Sequence, residues 1–172
     1  MPAAERSSAS AAICDAANAL LAARMSPGQV VALYAAKGSE VDTSRIDAYA
    51  RSRGVVVAYP RVNGRARVLA FHAVPPEGLA PSRFELREPS ADAPAVAVDD
   101  IAAFVVPGLA FDRAGGRIGW GRGHYDATFA AAPRALRIGL AFERQVVDAV
   151  TREAHDVTLH ILITEVATHV VA

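Results

Sequence analysis

The first third of the chain alternates between segments of helical and of buried-strand character. Apolar residues recur at helical spacing over residues 8–23, which contain no proline, and this pattern predicts an amphipathic helix. The short apolar run 29–34 is typical of a buried strand. A second helix is predicted over 44–53, because Gly54 ends the pattern, and residues 55–59 form another strand-like run. Strand, helix and strand in this order predict a βαβ unit with parallel strands.

The remaining apolar runs extend this organisation along the chain. The dipeptide Asn63-Gly64 is a hairpin-turn signal before the run 68–71, whereas residues 75–94, rich in proline and charge, predict an irregular surface excursion. Further buried strands are predicted over 101–106, 137–142 and 159–164, with a short helix or loop over 145–153. We therefore predict one Rossmann-like α/β domain over residues 1–172, with three α/β/α layers and a mostly parallel, mixed sheet. Ligands of such sheets lie beyond the carboxyl ends of the strands.

Composition excludes several function classes. Eighteen basic and eighteen acidic residues give zero net charge, which argues against nucleic-acid binding. The only lysine, Lys37, has no glycine-rich approach and therefore does not belong to a P-loop. A single cysteine, Cys14, excludes an internal disulfide and a CxxC metal site, and is typical of a reducing, cytoplasmic compartment. No apolar run is long enough to span a membrane, so we expect a soluble chain, most simply a monomer, without a membrane partner.

The segment after the strand 101–106 carries the densest chemical signal. Glycines alternate at 119, 121 and 123 before a predicted helix, and this spacing leaves backbone N–H groups free to surround phosphate oxygens. Arg117 and Arg122 add positive charge, and Asp126 offers a hard oxygen suited to Mg²⁺. The simpler interpretation is a glycine-rich turn on the surface. The combination of glycines, arginines, an aspartate and aromatic residues favours phosphate binding.

This segment resembles the signature of the 5-formyltetrahydrofolate cyclo-ligase family (methenyltetrahydrofolate synthetase), approximately V-P-G-x-x-F-D-x-x-G-x-R-x-G-x-G-x-G-x-Y-D. The resemblance begins near Ser10 and covers most of the chain. The matching positions in the signature are 106–112, Arg117, Gly119, Gly121, Gly123, Tyr125 and Asp126. Other matching segments are 40–43, Tyr59-Pro60, Glu88-Pro89, 139–142 with Gln145, His155-Asp156 and 163–165.

The resemblance implies MgATP-dependent conversion of 5-formyltetrahydrofolate into 5,10-methenyltetrahydrofolate, with release of ADP and phosphate. It implies a reduced folate and ATP as small-molecule substrates, with Mg²⁺ as cofactor, and Arg122 and Tyr125 as catalytic residues. Glu40, Trp120 and His124 would line the folate, and Asp126 and Asp156 would hold the metal. The residues implied for the nucleotide are Arg117, Gly119, Gly121, Arg122, Gly123, His124 and Tyr125.

Departures from the family pattern motivate a second hypothesis. His124 replaces a tyrosine of most members, and Ala127 stands where many bacterial members carry arginine. Family chains open with a basic K-x-x-L-R helix, which residues 2–6 do not match; within them only Arg6 is basic. The alternative is therefore a divergent, non-catalytic homologue that binds folate or a nucleotide. A phosphosugar- or CoA-handling enzyme would rest on fold analogy alone.

A basic stretch between residues 51 and 67 allows two interpretations. It contains five arginines and no acidic residue. An ordinary solvated face is the favoured interpretation, since charge runs usually face solvent. The alternative is attraction of a polyglutamylated folate tail.

Overall fold

The computed structural model describes residues 1–82, 86–153 and 156–171. The helices within these ranges are α1 (Ala3–Arg24), α2 (Ser44–Ser52) and α3 (His124–Ala131). The strands are β1 (Val30–Ala32), β2 (Val56–Arg61), β3 (Ala70–Ala73), β4 (Leu79–Pro81), β5 (Arg87–Pro89), β6 (Ala95–Val96), β7 (Ile101–Val106), β8 (Ala110–Asp112), β9 (Arg117–Ile118), β10 (Leu136–Leu140), β11 (Val146–Val147), β12 (Ile161–Ile163) and β13 (Thr168–Val170). Short 3₁₀ turns lie at Pro76–Gly78, Val98–Asp100 and Glu143–Gln145.

A large mixed sheet forms the centre of the fold. Its eight strands run in the order β13-β12-β10-β7-β1-β2-β3-β6. The five strands from β12 to β2 are mutually parallel, whereas β13 at one edge and β3 and β6 at the other pair antiparallel. The predicted βαβ unit is β1-α2-β2, and the predicted hairpin joins β2 to β3. The mostly parallel, mixed sheet is thus confirmed.

Apolar side chains of β7 alternate between the two faces of this sheet, as the two-residue period of a strand requires. Ala103 and Val105 pack in one core with residues of α1 and α2. Phe104 and Val106 pack in a second core with Phe129 of α3. A three-stranded sheet, β11-β8-β9, also lies against this second face through β8. The α/β/α arrangement is confirmed, with the second outer layer shared between one helix and this small sheet.

The first helix owes its position to a stripe of small and apolar residues. Ile13, Ala17 and Leu21 recur every four positions, Cys14 lies three before Ala17, and all four are buried. Full burial of a leucine or isoleucine side chain stabilises the fold by about 1.5–3 kcal/mol. The helix starts at Ala3, before the predicted residue 8, because residues 3–8 contain no helix breaker.

Two segments differ from their predictions. Residues 75–94 are not irregular throughout: β4 and β5 pair antiparallel within them, with Leu79 opposite Pro89. Proline is tolerated there because a two-stranded ladder leaves an outer edge that needs no N–H donor. Residues 145–153 follow the loop alternative for most of their length, but Val146–Val147 form β11, parallel to β8.

Candidate functional site

The site lies where the strand order of the large sheet reverses. Chain order places β2 on one side of β1 and β7 on the other, and all three strands are parallel. Connections that follow β1 and β7 therefore diverge, and the divergence opens a crevice at the carboxyl ends of these strands. Glu40 lies in the connection after β1, and the glycine-rich segment follows β7. The fold thus brings together two segments that are far apart in sequence.

The three alternating glycines lead directly into α3. Gly121 and Gly123 have φ angles of +76° and +62°, a left-handed conformation that favours glycine, and Gly123 caps the helix. Gly119 differs from these two: a Cβ atom there would lie 2.7 Å from Nη1 of Arg117, so the buried arginine side chain would have to shift. Between these glycines the Arg122 side chain lies in the exposed part of the loop, and Trp120 is 73 % exposed. The loop therefore presents its chain and its side chains outward, as phosphate binding needs.

Arg117 lies beneath this loop rather than on it. Its side chain is only 7 % exposed, and its guanidinium stacks 5.1 Å from the centre of the Tyr125 ring. Nη2 lies 3.7 Å from Oδ2 of Asp126, and Nη1 donates to the Pro107 carbonyl at 3.4 Å. Burial lowers the pKa of Arg117, and Nε has no hydrogen-bond partner among the described residues. Arg117 thus brings positive charge under the start of α3.

Glu40 meets the glycine loop from the other side of the crevice. Its Oε2 accepts the N–H of Lys37 at 2.9 Å, and its carboxylate also accepts a hydrogen bond from the Trp120 indole. Burial raises the pKa of Glu40, although these hydrogen bonds oppose the increase. Tyr34 and Tyr125 lie close enough to Glu40 that its charge adds to the effect of burial in raising the pKa of each phenol. The predicted folate residue Glu40 and the predicted nucleotide residue Tyr125 therefore share one site.

The two carboxylates predicted to hold a metal both lie near Arg117. Asp126 in α3 accepts the Val157 N–H at 3.2 Å, and Asp156 accepts the Glu153 N–H at 2.7 Å. Both carboxylates interact electrostatically with the Arg117 guanidinium. No cluster of three or more possible ligands occurs within the described ranges. Such a pair fits Mg²⁺, which commonly binds one or two carboxylates and completes its shell with water and substrate phosphates. His155, part of the family resemblance, lies outside the described residues.

His124 contacts the β2–β3 turn in addition to its place in the loop. Its Nδ1 lies 2.8 Å from the Arg67 carbonyl oxygen. One helical turn later, Oγ1 of Thr128 accepts the Leu69 N–H at 3.1 Å and donates to the His124 carbonyl. These bonds fasten the turn to α3 and therefore to the glycine loop. No sequence signal pointed to this contact, because its partners lie 57 and 59 residues apart.

A cavity of about 560 Å³ lies beside Glu40 on the α1 and α2 side of the sheet. The sequence did not indicate it, because its walls come from five separate segments. They are the start of α1, the connection after β1, the start of α2, Tyr59 of β2 and the β4–β5 region. Its lining includes the charged residues Arg6, Glu40, Asp42, Arg45 and Arg87.

A sheet with this strand order and a glycine loop at its point of reversal defines a class of α/β proteins that hold a ligand beyond the carboxyl ends of the strands. None of the helices in the described ranges combines the length and apolar character needed to cross a membrane.

Comparison with known proteins identifies the family within this class. The model of the 5-formyltetrahydrofolate cyclo-ligase family matches residues 2–165, and the chain belongs to that family. It is 38 % identical over 90 residues to a 5-formyltetrahydrofolate cyclo-ligase of Mycolicibacterium smegmatis, covering 51 % of this chain and 46 % of that protein. A second cyclo-ligase, from Mycoplasma genitalium, is 36 % identical over 66 residues, covering 38 % of this chain and 39 % of that protein. The matches thus span less than half the length of these two relatives.

Solved structures show the same fold over nearly the whole chain. The 5,10-methenyltetrahydrofolate synthetase of Aquifex aeolicus superposes with a TM-score of 0.84 at 27 % identity, covering 99 % of this chain and 85 % of that one. A second synthetase, from Mycoplasma pneumoniae, has a TM-score of 0.77 at 21 % identity, covering 96 % of this chain and 90 % of that one. The predicted family and fold are therefore confirmed.

Proposed function

We propose that this protein is an ATP-dependent cyclo-ligase that converts 5-formyltetrahydrofolate into 5,10-methenyltetrahydrofolate, with release of ADP and phosphate. Family membership supports this proposal. The observation that carries it is that Glu40, which accepts a hydrogen bond from Trp120, also lies near enough to Tyr125 for its charge to act on that phenol. This contact joins a cavity large enough for a folate to the glycine loop proposed for the nucleotide.

The proposed reaction has two steps. The formyl oxygen of the folate attacks the γ-phosphorus of ATP, and the bond from that phosphorus to the ADP oxygen breaks. N10 of the folate then attacks the activated carbon and loses its proton, while the carbon–oxygen bond breaks and phosphate leaves. Chemistry of this kind depends on positioning and charge neutralisation more than on an enzyme nucleophile.

The glycine loop is the proposed nucleotide site. Backbone N–H groups at Gly119, Gly121 and Gly123 bind phosphate oxygens, and Arg122 neutralises charge that develops on the transferred phosphoryl group. Arg117 contributes its charge from beneath the loop, since its guanidinium is buried against Tyr125.

The folate is proposed to lie across Glu40. The half-buried carboxyl of Glu40 binds donor groups of the pterin, while the exposed Trp120 ring and His124 flank the junction of the two substrates. Tyr125, which lies under the Arg117 guanidinium and near Glu40, orients the reacting groups.

Asp126 and Asp156 are the residues proposed to hold Mg²⁺. Both are near the Arg117 guanidinium, and their oxygens are hard donors of the type that Mg²⁺ prefers. When bound, Mg²⁺ neutralises charge on the β- and γ-phosphates of ATP.

The test is an assay of the full chain with 5-formyltetrahydrofolate, ATP and Mg²⁺, following methenyl product and ADP together. We expect one ADP for each methenyl group formed, and Asp126→Asn should lower turnover and raise the Mg²⁺ requirement. Arg24→Gln, at the end of α1, is the matched control and should leave both unchanged. Folate binding without turnover at high enzyme concentration would refute the cyclo-ligase and favour a non-catalytic binding homologue.

A further inference from the structure

Asp156, one of the two carboxylates proposed to hold Mg²⁺, lies on a stretch of irregular chain. Residues 150–153 and 156–157, named here the Asp156 segment, form neither helix nor strand. Because no helix or strand ladder fixes these described residues, their position depends on individual hydrogen bonds to the rest of the domain. The placement of the Asp156 carboxylate therefore depends on the same bonds.

Hydrogen bonds hold the Asp156 segment on both sides of Asp156. After it in sequence, the Val157 N–H donates to Oδ1 of Asp126, the other proposed metal residue, at 3.2 Å. Before it, the Val150 N–H donates to Oδ2 of Asp112 at 2.9 Å. The segment is thus attached to α3 at one end and to the end of β8 at the other.

Arg152 strengthens the β8 attachment with its side chain. Its Nη2 donates to Oδ1 and Oδ2 of Asp112, at 3.2 and 3.3 Å, and to the Ala114 carbonyl at 3.2 Å. Asp112 is 3 % exposed and also accepts the N–H groups of Ala114 and Gly116, so its carboxylate and the β8–β9 turn form one fixed unit. One guanidinium nitrogen therefore joins the Asp156 segment to a part of the fold that is already held in place.

The chain that carries Arg117 runs directly beside this ion pair. Gly116 precedes Arg117, and a Cβ atom at Gly116 would lie 2.5 Å from Oδ2 of Asp112 and 3.0 Å from Nε of Arg152. The Arg117 guanidinium in turn interacts electrostatically with Asp156. The Asp112–Arg152 pair thus lies where the chain that places Arg117 meets the chain that places Asp156.

We propose that Arg152 is a positioning residue that sets the place of Asp156 relative to Asp126 and thereby the affinity of this pair for a divalent cation. This inference rests on the proposed function, because it takes the two carboxylates to hold Mg²⁺. The sign of the effect separates positioning from charge. Like charges repel, so removal of an arginine would by electrostatics alone favour a bound cation. Loss of positioning acts in the opposite direction, since a metal ligand without its supporting contact binds more weakly.

The experiment measures binding of Mn²⁺, a stand-in for Mg²⁺ with the same preference for oxygen ligands, to the nucleotide-free full chain by electron paramagnetic resonance. Arg152→Gln should weaken Mn²⁺ binding about tenfold, the lower end of what loss of a supporting contact costs a metal site. Arg152→Lys should bind Mn²⁺ more tightly than Arg152→Gln, because one ammonium nitrogen can take the place of the one guanidinium nitrogen that makes these bonds. The matched control is Arg113→Gln, which removes an arginine of the same turn that pairs with Glu143 at 2.9 Å and should leave Mn²⁺ binding unchanged.

Amide exchange supplies a second measurement that involves no metal. The Val157 N–H should exchange faster in Arg152→Gln than in the wild-type protein, because the segment that carries it is less firmly attached. Unchanged exchange at Val157 would overturn the inference. So would unchanged or tighter Mn²⁺ binding in Arg152→Gln, or equal weakening in Arg113→Gln.

Failure of the proposed function gives a different result. A wild-type protein that binds Mn²⁺ but does not turn over 5-formyltetrahydrofolate would refute the cyclo-ligase, and the variants would still decide the role of Arg152. A wild-type protein that binds no Mn²⁺ would overturn the inference whatever its turnover.

Discussion

Replacing Asp112 by asparagine is expected to destabilise the contact between the β8–β9 turn and the segment that contains Val150 and Arg152. Asp112 is 3 % exposed at the end of β8, and five hydrogen bonds converge on its carboxylate. Oδ1 accepts the N–H groups of Ala114 and Gly116, and Oδ2 accepts the N–H of Val150. Arg152 donates to both oxygens, at 3.2 and 3.3 Å. One side chain therefore joins the β8–β9 turn to the segment that precedes Asp156 in sequence.

The expected loss of stability follows from which hydrogen bonds of the Asp112 carboxylate an asparagine amide can keep. With its oxygen at the Oδ1 position, the asparagine side chain of Asp112→Asn would keep the bonds to Ala114 and Gly116 but turn its NH₂ group toward the donors of Val150 and Arg152. A buried donor left unpaired costs about 1–3 kcal/mol. Loss of the ion pair adds at most about 1 kcal/mol, because Arg152 is 35 % exposed. We expect a loss of about 3 kcal/mol in unfolding free energy, or about 6–12 °C in Tm for a domain of this size.

Thermal melting monitored by circular dichroism measures this loss, with Arg152→Gln as the matched control. The control removes the ion pair and a hydrogen bond to the Ala114 carbonyl, but leaves the backbone N–H groups bound to Asp112, and should cost about 1 kcal/mol. Burial alone would raise the pKa of Asp112, but its hydrogen bonds with Val150, Gly116 and Arg152 lower the pKa below the usual 3.8. This stabilisation is full above pH 3.8 and is lost as the pH falls through the lowered value. Equal melting of wild type and Asp112→Asn, or equal losses in the two variants, would refute the reasoning.

Three further substitutions test other contacts. Gly119→Ala places a Cβ 2.7 Å from the buried Arg117 guanidinium; we expect about 1–3 kcal/mol lower stability and weaker binding of a non-hydrolysable ATP analogue, and unchanged binding would contradict the packing. Glu40→Gln removes a carboxyl whose pKa is raised by burial, so wild-type stability relative to the variant should fall as the pH rises above the usual 4.5; a pH-independent difference in denaturant melts would contradict this. His124→Phe keeps a flat ring but loses the bond to the Arg67 carbonyl; amide exchange in the β2–β3 turn should rise about three- to tenfold, and unchanged exchange would disprove the anchoring role.

The parallel core could be predicted because each of its strands carries its own signal. Short runs such as 101–106 are apolar on both faces, as is typical of strands covered on both sides. The β4–β5 pair could not be found in this way, since Pro81 and Pro89 mark it as irregular. Its ladder depends on contacts from elsewhere, including the Val62 N–H, which donates to Glu88. Local propensity carries no information on such support.

The sequence predicted where the site lies along the chain, but not how its side chains are placed. Alternating glycines beside Arg117 and Arg122 indicate a positive loop, yet spacing does not show which guanidinium faces solvent. The structure separates the two, with Arg117 beneath the loop and Arg122 on its exposed part. Arg87 carried no signal, and Arg6 stood out only as a weak candidate to replace the family's basic pair, because their common cavity exists only once α1 packs beside the β4–β5 pair.

The two faces of the sheet explain how one small domain could hold the two substrates of the proposed reaction. α2 packs on one face and α3 on the other, so the connections after β1 and β7 leave the sheet on opposite sides. The cavity belongs to the α1 and α2 side, and the glycine loop leads into α3. Because β1 and β7 are neighbouring parallel strands, ligands bound on the two sides of the sheet can meet at the carboxyl ends of these strands. Glu40 and Trp120 contact each other there, and this contact makes the same point the expected place of phosphoryl transfer in the proposed reaction.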